Sequence, residues 1–183
     1  CLIGMEACAG AHYWARELSQ LGHTVRLMPP LYVKGYQRRN KTDAADAAAI
    51  CEAVSRPSMR FVTPKTAPQQ AAAGIHRVRA SLTKQETMTM NSLRGLMAEF
   101  GIIAPQGRKG IAELLAILND PQDTRIPQPL HGALQALAAT LRSLAAQLKA
   151  VDKALAAWGR ADTTSRHLST IPGFGVVTAT AIA

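Results

Sequence analysis

Aromatic side chains and cysteines are scarce in this sequence of 183 residues. Trp, Tyr and Phe together make up 4% of it, so a core must be built from Ala, Leu, Ile, Val and Met, which favours helices. Its three cysteines show no CxxC spacing and no disulfide framework. This pattern argues against a structural zinc site and is typical of a reducing compartment.

Acidic residues are also few, since 12 Asp and Glu stand against 21 Lys and Arg, a formal net charge of +9. Such a balance favours a polyanionic partner, nucleic acid first and an anionic membrane surface second. A merely soluble basic protein is the alternative. Because no hydrophobic run approaches the roughly 20 residues that span a bilayer and no secretory signal is visible, we expect a cytoplasmic protein with no membrane partner.

The first third of the sequence alternates between predicted strands and helices. The elements are, in order, a strand at 2–5, a helix at 12–21, a strand at 24–28 and a helix at 42–54. This order is typical of a βαβ unit with parallel strands, so the fold class is expected to be α/β followed by mostly α. Trp14 and Trp158 are expected to anchor the core. Both ends of the chain have the pattern of interrupted elements, so we expect a truncated protein.

Two long helices are predicted in the rest of the chain. Residues 69–100 contain no proline, and a later helix carries apolar residues that alternate at spacings of four and three: Leu130, Leu134, Leu137, Leu141, Leu144, Leu148, Val151, Leu155 and Trp158. This seam indicates a coiled coil, with the 69–100 helix or another chain as the partner. An ordinary amphipathic helix on its own domain is the alternative.

A glycine-rich turn, Ile171-Pro172-Gly173-Phe174-Gly175, precedes the last predicted helix. Gly173 and Gly175 would let backbone N–H groups approach a phosphate at a helix N-terminus. The pattern is typical of a helix-hairpin-helix element, which grips a nucleic-acid backbone without reading its sequence. A plain turn between two helices is the alternative.

Three carboxylates have positions that suit metal chemistry. Glu6 follows the first predicted strand, and Asp43 and Asp46 lie three residues apart at a helix start, so both face one side. If they converge at the carboxyl edge of a sheet they could hold Mg²⁺, as phosphodiester cleavage requires. The alternative is that Asp43 and Asp46 only cap the helix and that Glu6 is an ordinary strand-end residue.

Basic residues lie next to these acids and along the first long helix. The segment 34–41 holds no acid and four cations: Lys34, Arg38, Arg39 and Lys41. A basic segment of this kind would hold a phosphate backbone beside the acids, which a capping motif does not need. Further nucleic-acid contacts are expected from three cations of the 69–100 helix: Arg77, Arg79 and Lys84.

Three segments together resemble a known family: Gly-Met-Glu-Ala-Cys-Ala-Gly at 4–10, Lys-Thr-Asp-Ala-Ala-Asp-Ala at 41–47, and the turn at 171–175. In order and separation they resemble the DEDD-type insertion-sequence transposases of the "one-ten" family. The resemblance implies a partial ribonuclease-H-like (RuvC-like) unit at 1–63 and a helical coiled-coil region at 64–165. It also implies the start of a helix-hairpin-helix-like transposase domain at 166–183.

The same resemblance implies chemistry and partners. Glu6 matches the second acidic position of the family, and Asp43 and Asp46 match the third and fourth, as catalytic and Mg²⁺-binding residues of a DNA transposase or recombinase. The first acid and a nucleophilic serine are expected outside this chain, so we expect the chain alone to be inactive. DNA, an element-encoded guide RNA and further copies of the chain, joined through the coiled coil, are the implied partners, in a bacterial nucleoid.

Two other functions stay open from the sequence. The first is a non-catalytic, basic coiled coil that binds nucleic acid through its phosphates, with the acids acting as caps. The second is an oligomerisation module that works through the seam at 130–158 and has no affinity for nucleic acid.

Overall fold

In a computed structural model of the chain, residues 1–36 and 42–183 are described. They form two compact units, residues 1–71 and residues 72–183. The described residues are mostly helical and include a small parallel sheet of two strands near the N-terminus. The expectation of an α/β segment followed by mostly α structure is confirmed at this level.

The first unit is built around two parallel strands. β1 spans Leu2–Glu6 and β2 spans Thr24–Met28, and the two strands pair in register from end to end. The intervening helix, α1, spans Ala11–Gln20. Gly22 follows its C-cap with a φ of 86°, a left-handed conformation that glycine adopts without strain. The predicted strand–helix–strand unit with parallel strands is therefore confirmed.

Helices cover both faces of this sheet. One face packs on α1, through Met5, Val25, Leu27, Ala11 and Ala15. The other face packs on α3, which spans Asp43–Val54. A Cβ atom on Gly4 would lie 2.8 Å from Cβ of Val54, so the strand and the helix approach this closely because position 4 has no side chain.

Two short helical segments follow β2. α2 spans Pro30–Val33, and a 3₁₀ turn spans Lys34–Tyr36. Proline suits the first turn of a helix because its fixed φ is helical and its missing N–H has no partner there. Val33 is fully buried against the cluster that includes α3 residues.

Trp14 is expected in the core and is instead 55% exposed. Its ring lies edge-to-face against Tyr13, with the ring centroids 5.2 Å apart. The face of α1 that meets the sheet presents the small side chains of Ala11 and Ala15, so the bulky rings lie on its outer side. The expectation for Trp14 is wrong, whereas Trp158 is half-buried.

The remainder of the chain is helical: α4 spans Ala67–Ala98, α5 Arg108–Leu118, α6 Gln128–Ala161, α7 Thr163–Leu168 and α8 Val176–Ile182. One core cluster joins α4, α5 and α6, with Leu93, Met97, Leu114, Leu118, Leu134 and Leu141 among its buried members. No helix in the described part of the chain combines the length and the hydropathy that a membrane span requires.

α4 and α6 run antiparallel to each other. Leu93, near the C-terminal end of α4, shares a cluster with Leu134, near the N-terminal end of α6. Towards the opposite ends, Nε of Arg79 lies 2.6 Å from a carboxylate oxygen of Asp152. Every position of the predicted seam at 130–158 is buried or half-buried. α4 of the same chain is therefore one partner of the seam, a choice that the sequence leaves open.

α7 and α8 pack on the end of α6. Asp162 caps α7 by accepting a hydrogen bond from the backbone N–H of Ser165 at 2.7 Å. Ser165 is fully buried. A Cβ atom on Gly159 would lie 2.8 Å from the methyl group of Thr180, so α6 and α8 come close where glycine leaves room. His76 of α4 also hydrogen-bonds the Thr180 hydroxyl at 3.1 Å.

Candidate nucleic-acid and metal site

Glu6 ends β1 on the side of the sheet that α3 covers. Side chains alternate along a strand, so Glu6 has the same direction as Gly4. Gly4 lies against Ile50 and Val54 of α3. Glu6 is half-buried. Its carboxylate is therefore placed at the carboxyl end of a parallel strand, the edge at which open α/β sheets hold their ligands.

Asp43 and Asp46 occupy the first turn of α3. Steps of three and four residues place them on one stripe of the helix with Ile50 and Val54, the two side chains beside Gly4. Asp46 is half-buried and Asp43 is exposed. Both aspartates therefore belong to the helix face that turns towards the sheet.

Thr42, and not an aspartate, is the N-cap of α3. Its hydroxyl oxygen accepts a hydrogen bond from the backbone N–H of Ala45 at 3.2 Å. An acid in the first turn still gains about 0.3–1 kcal/mol from the helix dipole. The side-chain cap of α3 is therefore Thr42, and the alternative that Asp43 and Asp46 only stabilise the start of the helix stays open.

The donor set suits a hard divalent cation, because carboxylate oxygens are the ligands that Mg²⁺ prefers. The geometry is less complete. Among the described residues, no three His, Cys, Asp or Glu side chains lie close enough together to hold a metal ion. The structure thus places Glu6, Asp43 and Asp46 on the facing sides of one strand and one helix without bringing all three to a common point among the described residues.

The predicted phosphate-binding cations fall in different parts of the molecule. Lys34 is exposed in the 3₁₀ turn after α2. Three others lie outside the described residues: Arg38, Arg39 and Lys41. On α4, Arg77 and Lys84 are exposed, whereas Arg79 is half-buried and engaged with Asp152.

An open groove of about 920 Å³ follows one face of α4 and contains two of the predicted cations. Its lining consists of Arg79, Ala80, Thr83, Lys84, Thr87, Met88, Asn91 and Ser92. Hydroxyl, amide and cationic groups on one surface are the side chains that contact phosphate oxygens in nucleic-acid complexes. Sequence reasoning found the cations but missed the uncharged polar residues, whose signal is their recurrence every three or four residues.

A second groove, in the first unit, was missed from the sequence altogether. It has a volume of about 370 Å³ and is lined by Leu31, Tyr32, Tyr36, Ser58, Met59 and Arg60. The signal that could have found it is the placement of two of the three tyrosines next to a basic segment in a chain that has few aromatics.

The predicted glycine-rich turn before the last helix is present. Gly173 has a φ of 88°, and Gly175 is the extended N-cap residue of α8. Both glycines are exposed. The identity of this segment as a helix-hairpin-helix element stays a prediction.

Residues 1–102 match the DEDD family of the IS110 elements, which is described as "Transposase". The chain belongs to the DEDD transposase family. The prediction drawn from three short segments is therefore confirmed for the family. Glu6, Asp43 and Asp46 all lie inside the range that matches the DEDD transposases.

Curated relatives carry the same family description. The chain is 45% identical to a "Probable family 20 transposase" of Pseudomonas aeruginosa and 41% identical to the transposase for insertion sequence element IS1328 of Yersinia enterocolitica. It is 34% identical to the transposase for insertion sequence element IS1111A of Coxiella burnetii. All of this chain is covered in each case, against 54%, 54% and 50% of the respective relatives. The chain thus spans about half the length of the curated relatives that it matches.

Proposed function

We propose that this chain is a part of an insertion-sequence transposase that binds DNA and contributes Glu6, Asp43 and Asp46 to a divalent-metal site for strand cleavage and rejoining. One observation carries the proposal. Glu6 ends a parallel strand on the sheet face covered by the helix whose first turn holds Asp43 and Asp46, within residues that match the transposase family. Membership of the DEDD family suggests dependence on a divalent metal, and we propose Mg²⁺ as the ion.

In this proposal the first unit is part of a ribonuclease-H-like, RuvC-like domain. Two parallel strands with a helix on each face support it, as does an acid at the carboxyl end of β1. The proposed division of the chain is the RuvC-like part at 1–63, a helical region at 64–165 and the start of a helix-hairpin-helix-like transposase domain at 166–183. The short helices α7 and α8 on either side of the Gly173 turn support the last of these.

The roles of the acids follow from their placement. Mg²⁺ is usually bound through one or two carboxylates together with waters and substrate phosphates. A half-buried pair such as Glu6 and Asp46 could therefore supply protein ligands, with the rest coming from a DNA phosphate and from an acid that the family resemblance places outside this chain. Bound there, the ion supplies activation of the nucleophile and stabilisation of the leaving oxygen. Because the family resemblance leaves the first acid and the nucleophilic serine unassigned among these 183 residues, we propose that this chain alone does not transfer strands.

The proposed DNA contacts combine the exposed cations with the groove on α4. Lys34, Arg77 and Lys84 are exposed, and hydroxyl and amide groups of α4 lie beside Lys84. Contacts of this kind neutralise phosphates and release counterions, so the affinity should fall steeply with salt. A guide RNA would use the same backbone chemistry, and we include it as a proposed partner.

Calorimetric titration of Mn²⁺ into the complex of this chain with duplex DNA tests the metal proposal. We expect saturable binding that weakens at least about tenfold when Asp43→Asn and Asp46→Asn are combined, because each carboxylate supplies negative charge and oxygen ligands. The matched control combines Glu99→Gln with Glu113→Gln, two exposed acids of which one lies in the turn after α4 and the other on α5. Equal affinity in the two double variants would contradict the assignment of Asp43 and Asp46.

A non-catalytic nucleic-acid-binding protein is the second candidate, and the position of Asp43 and Asp46 in the first turn of α3, where acids stabilise a helix, favours it. It predicts salt-dependent DNA binding that the double aspartate variant does not weaken, and an effect of Mn²⁺ that is the same in the parent chain and in that variant. The same titrations therefore separate the two functions. The third possibility, an oligomerisation module, has less support, because the leucines at 134, 141, 144, 148 and 155 are buried within one chain.

A further inference from the structure

The second groove, of about 370 Å³ beside α2, combines aromatic and cationic side chains on the surface of the first unit. Its walls come from two stretches of chain, the α2–3₁₀ segment at 30–36 and residues 58–60. All of these residues lie in the same compact unit. A volume near the lower end of the roughly 300–1,000 Å³ typical of small-ligand sites suits one nucleotide and not a duplex.

The sequence Pro30-Leu31-Tyr32-Val33 explains why a tyrosine ring is exposed here. Val33 is fully buried and holds α2 against the core, whereas Leu31 is 77% and Tyr32 is 45% exposed. Successive residues of a helical turn point in different directions, so anchoring Val33 inside leaves Tyr32 outside. An aromatic ring that remains exposed in this way is a surface on which a planar group can stack.

Cations surround the aromatic rings of this groove. Arg60 lines it directly, and the guanidinium carbon of Arg56 lies 5.9 Å from the centre of the Tyr36 ring. Residues 55–66 carry three cations, Arg56, Arg60 and Lys65, and no acid. Glu52 of α3 pairs with Arg56 and offsets part of this charge. Arg60 forms no such ion pair with any of the described residues, so its charge is open to an anion.

We propose that this groove holds one unpaired nucleotide of a DNA strand, with the base stacked on Tyr32 and a neighbouring phosphate at Arg60. Aromatic rings beside cations are the combination by which proteins bind single strands, because every base has a face that can stack and every linkage carries a charge. A base pair in a duplex keeps its faces hidden, so the groove selects single-stranded segments. The inference rests on the proposed function, since it assigns one part of the DNA-binding surface.

Fluorescence anisotropy of this chain with a labelled single-stranded oligonucleotide tests the proposal. We expect Tyr32→Ala to weaken binding by roughly 5- to 150-fold, the range found when one stacking side chain is truncated to alanine. Tyr32→Phe should retain binding, because it keeps the ring, and Tyr32→Leu should lose it, because it keeps only apolar bulk. Arg60→Gln should lower the slope of log affinity against log salt by about one phosphate contact.

The matched control is Tyr13→Ala. Tyr13 is 50% exposed, close to the value for Tyr32, and it lies on α1, which covers the other face of the sheet. A 2-aminopurine base in the strand gives a second readout, since its fluorescence changes when the base stacks. We expect that change in the parent chain and in Tyr13→Ala and not in Tyr32→Ala. Thermal melts check that each variant is folded. If Tyr32→Ala disturbs α2, the affinities of Tyr32→Phe and Tyr32→Leu for the single strand are compared instead.

Each alternative result has a defined meaning. If single strands and duplexes bind the parent chain and Tyr32→Ala binds both as well as the parent does, the groove proposal is overturned and the proposed function stands. If no nucleic acid binds at moderate salt, both are overturned. Tighter binding of an acidic peptide than of DNA, with the same dependence on Arg60, would assign the groove to a protein partner. An RNA strand that binds more than tenfold tighter than its DNA counterpart would overturn the choice of DNA.

Discussion

The two units of this chain bury their cores in different ways. In the described part of the first unit, four of the eight buried core residues are alanines, and they lie where a strand and a helix come close. In the main cluster of the second unit, one of ten is an alanine, and the rest are Leu, Ile and Met. Since each fully buried Leu, Ile or Met contributes about 1.5–3 kcal/mol, the second unit has the larger hydrophobic stabilisation.

The difference separates the unit with the larger apolar core from the unit that contains the proposed metal site. The small side chains of the first unit let β1 and α3 approach until Gly4 lies against Val54. The acids lie further along the same two elements, with Glu6 at the end of β1 and Asp43 and Asp46 in the first turn of α3. The second unit instead has long helices with a continuous apolar seam. A close strand–helix contact positions side chains well but buries little apolar surface. The first unit should therefore have the smaller free energy of unfolding.

The largest expected effect is on the core of the second unit. Leu134→Ala should destabilise that unit by about 2–5 kcal/mol, because Leu134 is fully buried and its loss leaves a cavity among α4, α5 and α6. Urea unfolding followed by the fluorescence of Trp158, in a Trp14→Phe background, reports on the second unit alone.

The same experiment has a built-in comparison, because Trp14 lies in the first unit and Trp158 in the second. In a Trp158→Phe background, the transition reported by Trp14 should stay where it is when Leu134 is replaced. Equal shifts of both transitions would mean that the two units unfold as one, and the contrast between their cores would then have no thermodynamic consequence. Leu31→Ala, at a position that is 77% exposed, is the control for a leucine outside the core.

A smaller effect is expected at the strand–helix contact of the first unit. Gly4→Ala places a methyl group 2.8 Å from Cβ of Val54 and 3.2 Å from Cγ2 of Ile50, so α3 must shift, at a cost of about 1–3 kcal/mol. Gly35→Ala is the control, because nothing lies within 4 Å of a Cβ atom there. Unfolding followed by Trp14 measures both.

The Gly4 variant also links packing to the candidate site. If α3 moves away from β1, the two aspartates move with it, so Mn²⁺ binding to the DNA complex should weaken in Gly4→Ala and not in Gly35→Ala. Unchanged metal binding in a destabilised Gly4→Ala chain would separate the acids from the strand–helix contact and argue against their joint role.

Periodicity explains how much of the fold is predictable from the sequence. The strand at Thr24–Met28, the helix ending at Val54 and the seam of α6 follow directly from apolar spacing and end signals, and the structure agrees within a few residues. α2 and α7 are not predictable in this way. They have four and six residues, too few to repeat a pattern, and tertiary contacts of Val33 and Ser165 hold them.

The candidate site is predictable in its residue types but not in its geometry. Glu6, Asp43 and Asp46 stand out because acids are rare and because Thr42 and Gly22 mark element ends. Whether the three carboxylates meet depends on the position of α3 along β1. The contacts of Gly4 with Ile50 and Val54 determine that position, and these contacts cannot be read from residue spacing. The groove beside α2 was missed for the same reason, since Tyr32 and Arg60 are distant in sequence.

The smallest expected effect is a pH dependence confined to the second unit. The side chain of Arg125, hydrogen-bonded to Asp123 with the closest pair of atoms 2.5 Å apart, lowers the pKa of that carboxyl to about 2. A carboxyl whose pKa is lower in the folded than in the unfolded state stabilises the fold above the unfolded value near 4. That contribution is lost as the pH falls from about 4 to about 2. The melting temperature of the parent chain should therefore exceed that of Asp123→Asn at neutral pH, and the gap should close across this window.

Arg125→Gln removes the cause of the pKa shift, so its melting curve should follow that of Asp123→Asn. A gap that persists unchanged at pH 2 would mean that the ion pair does not stabilise the turn before α6, and that the advantage of the second unit comes from its apolar core alone.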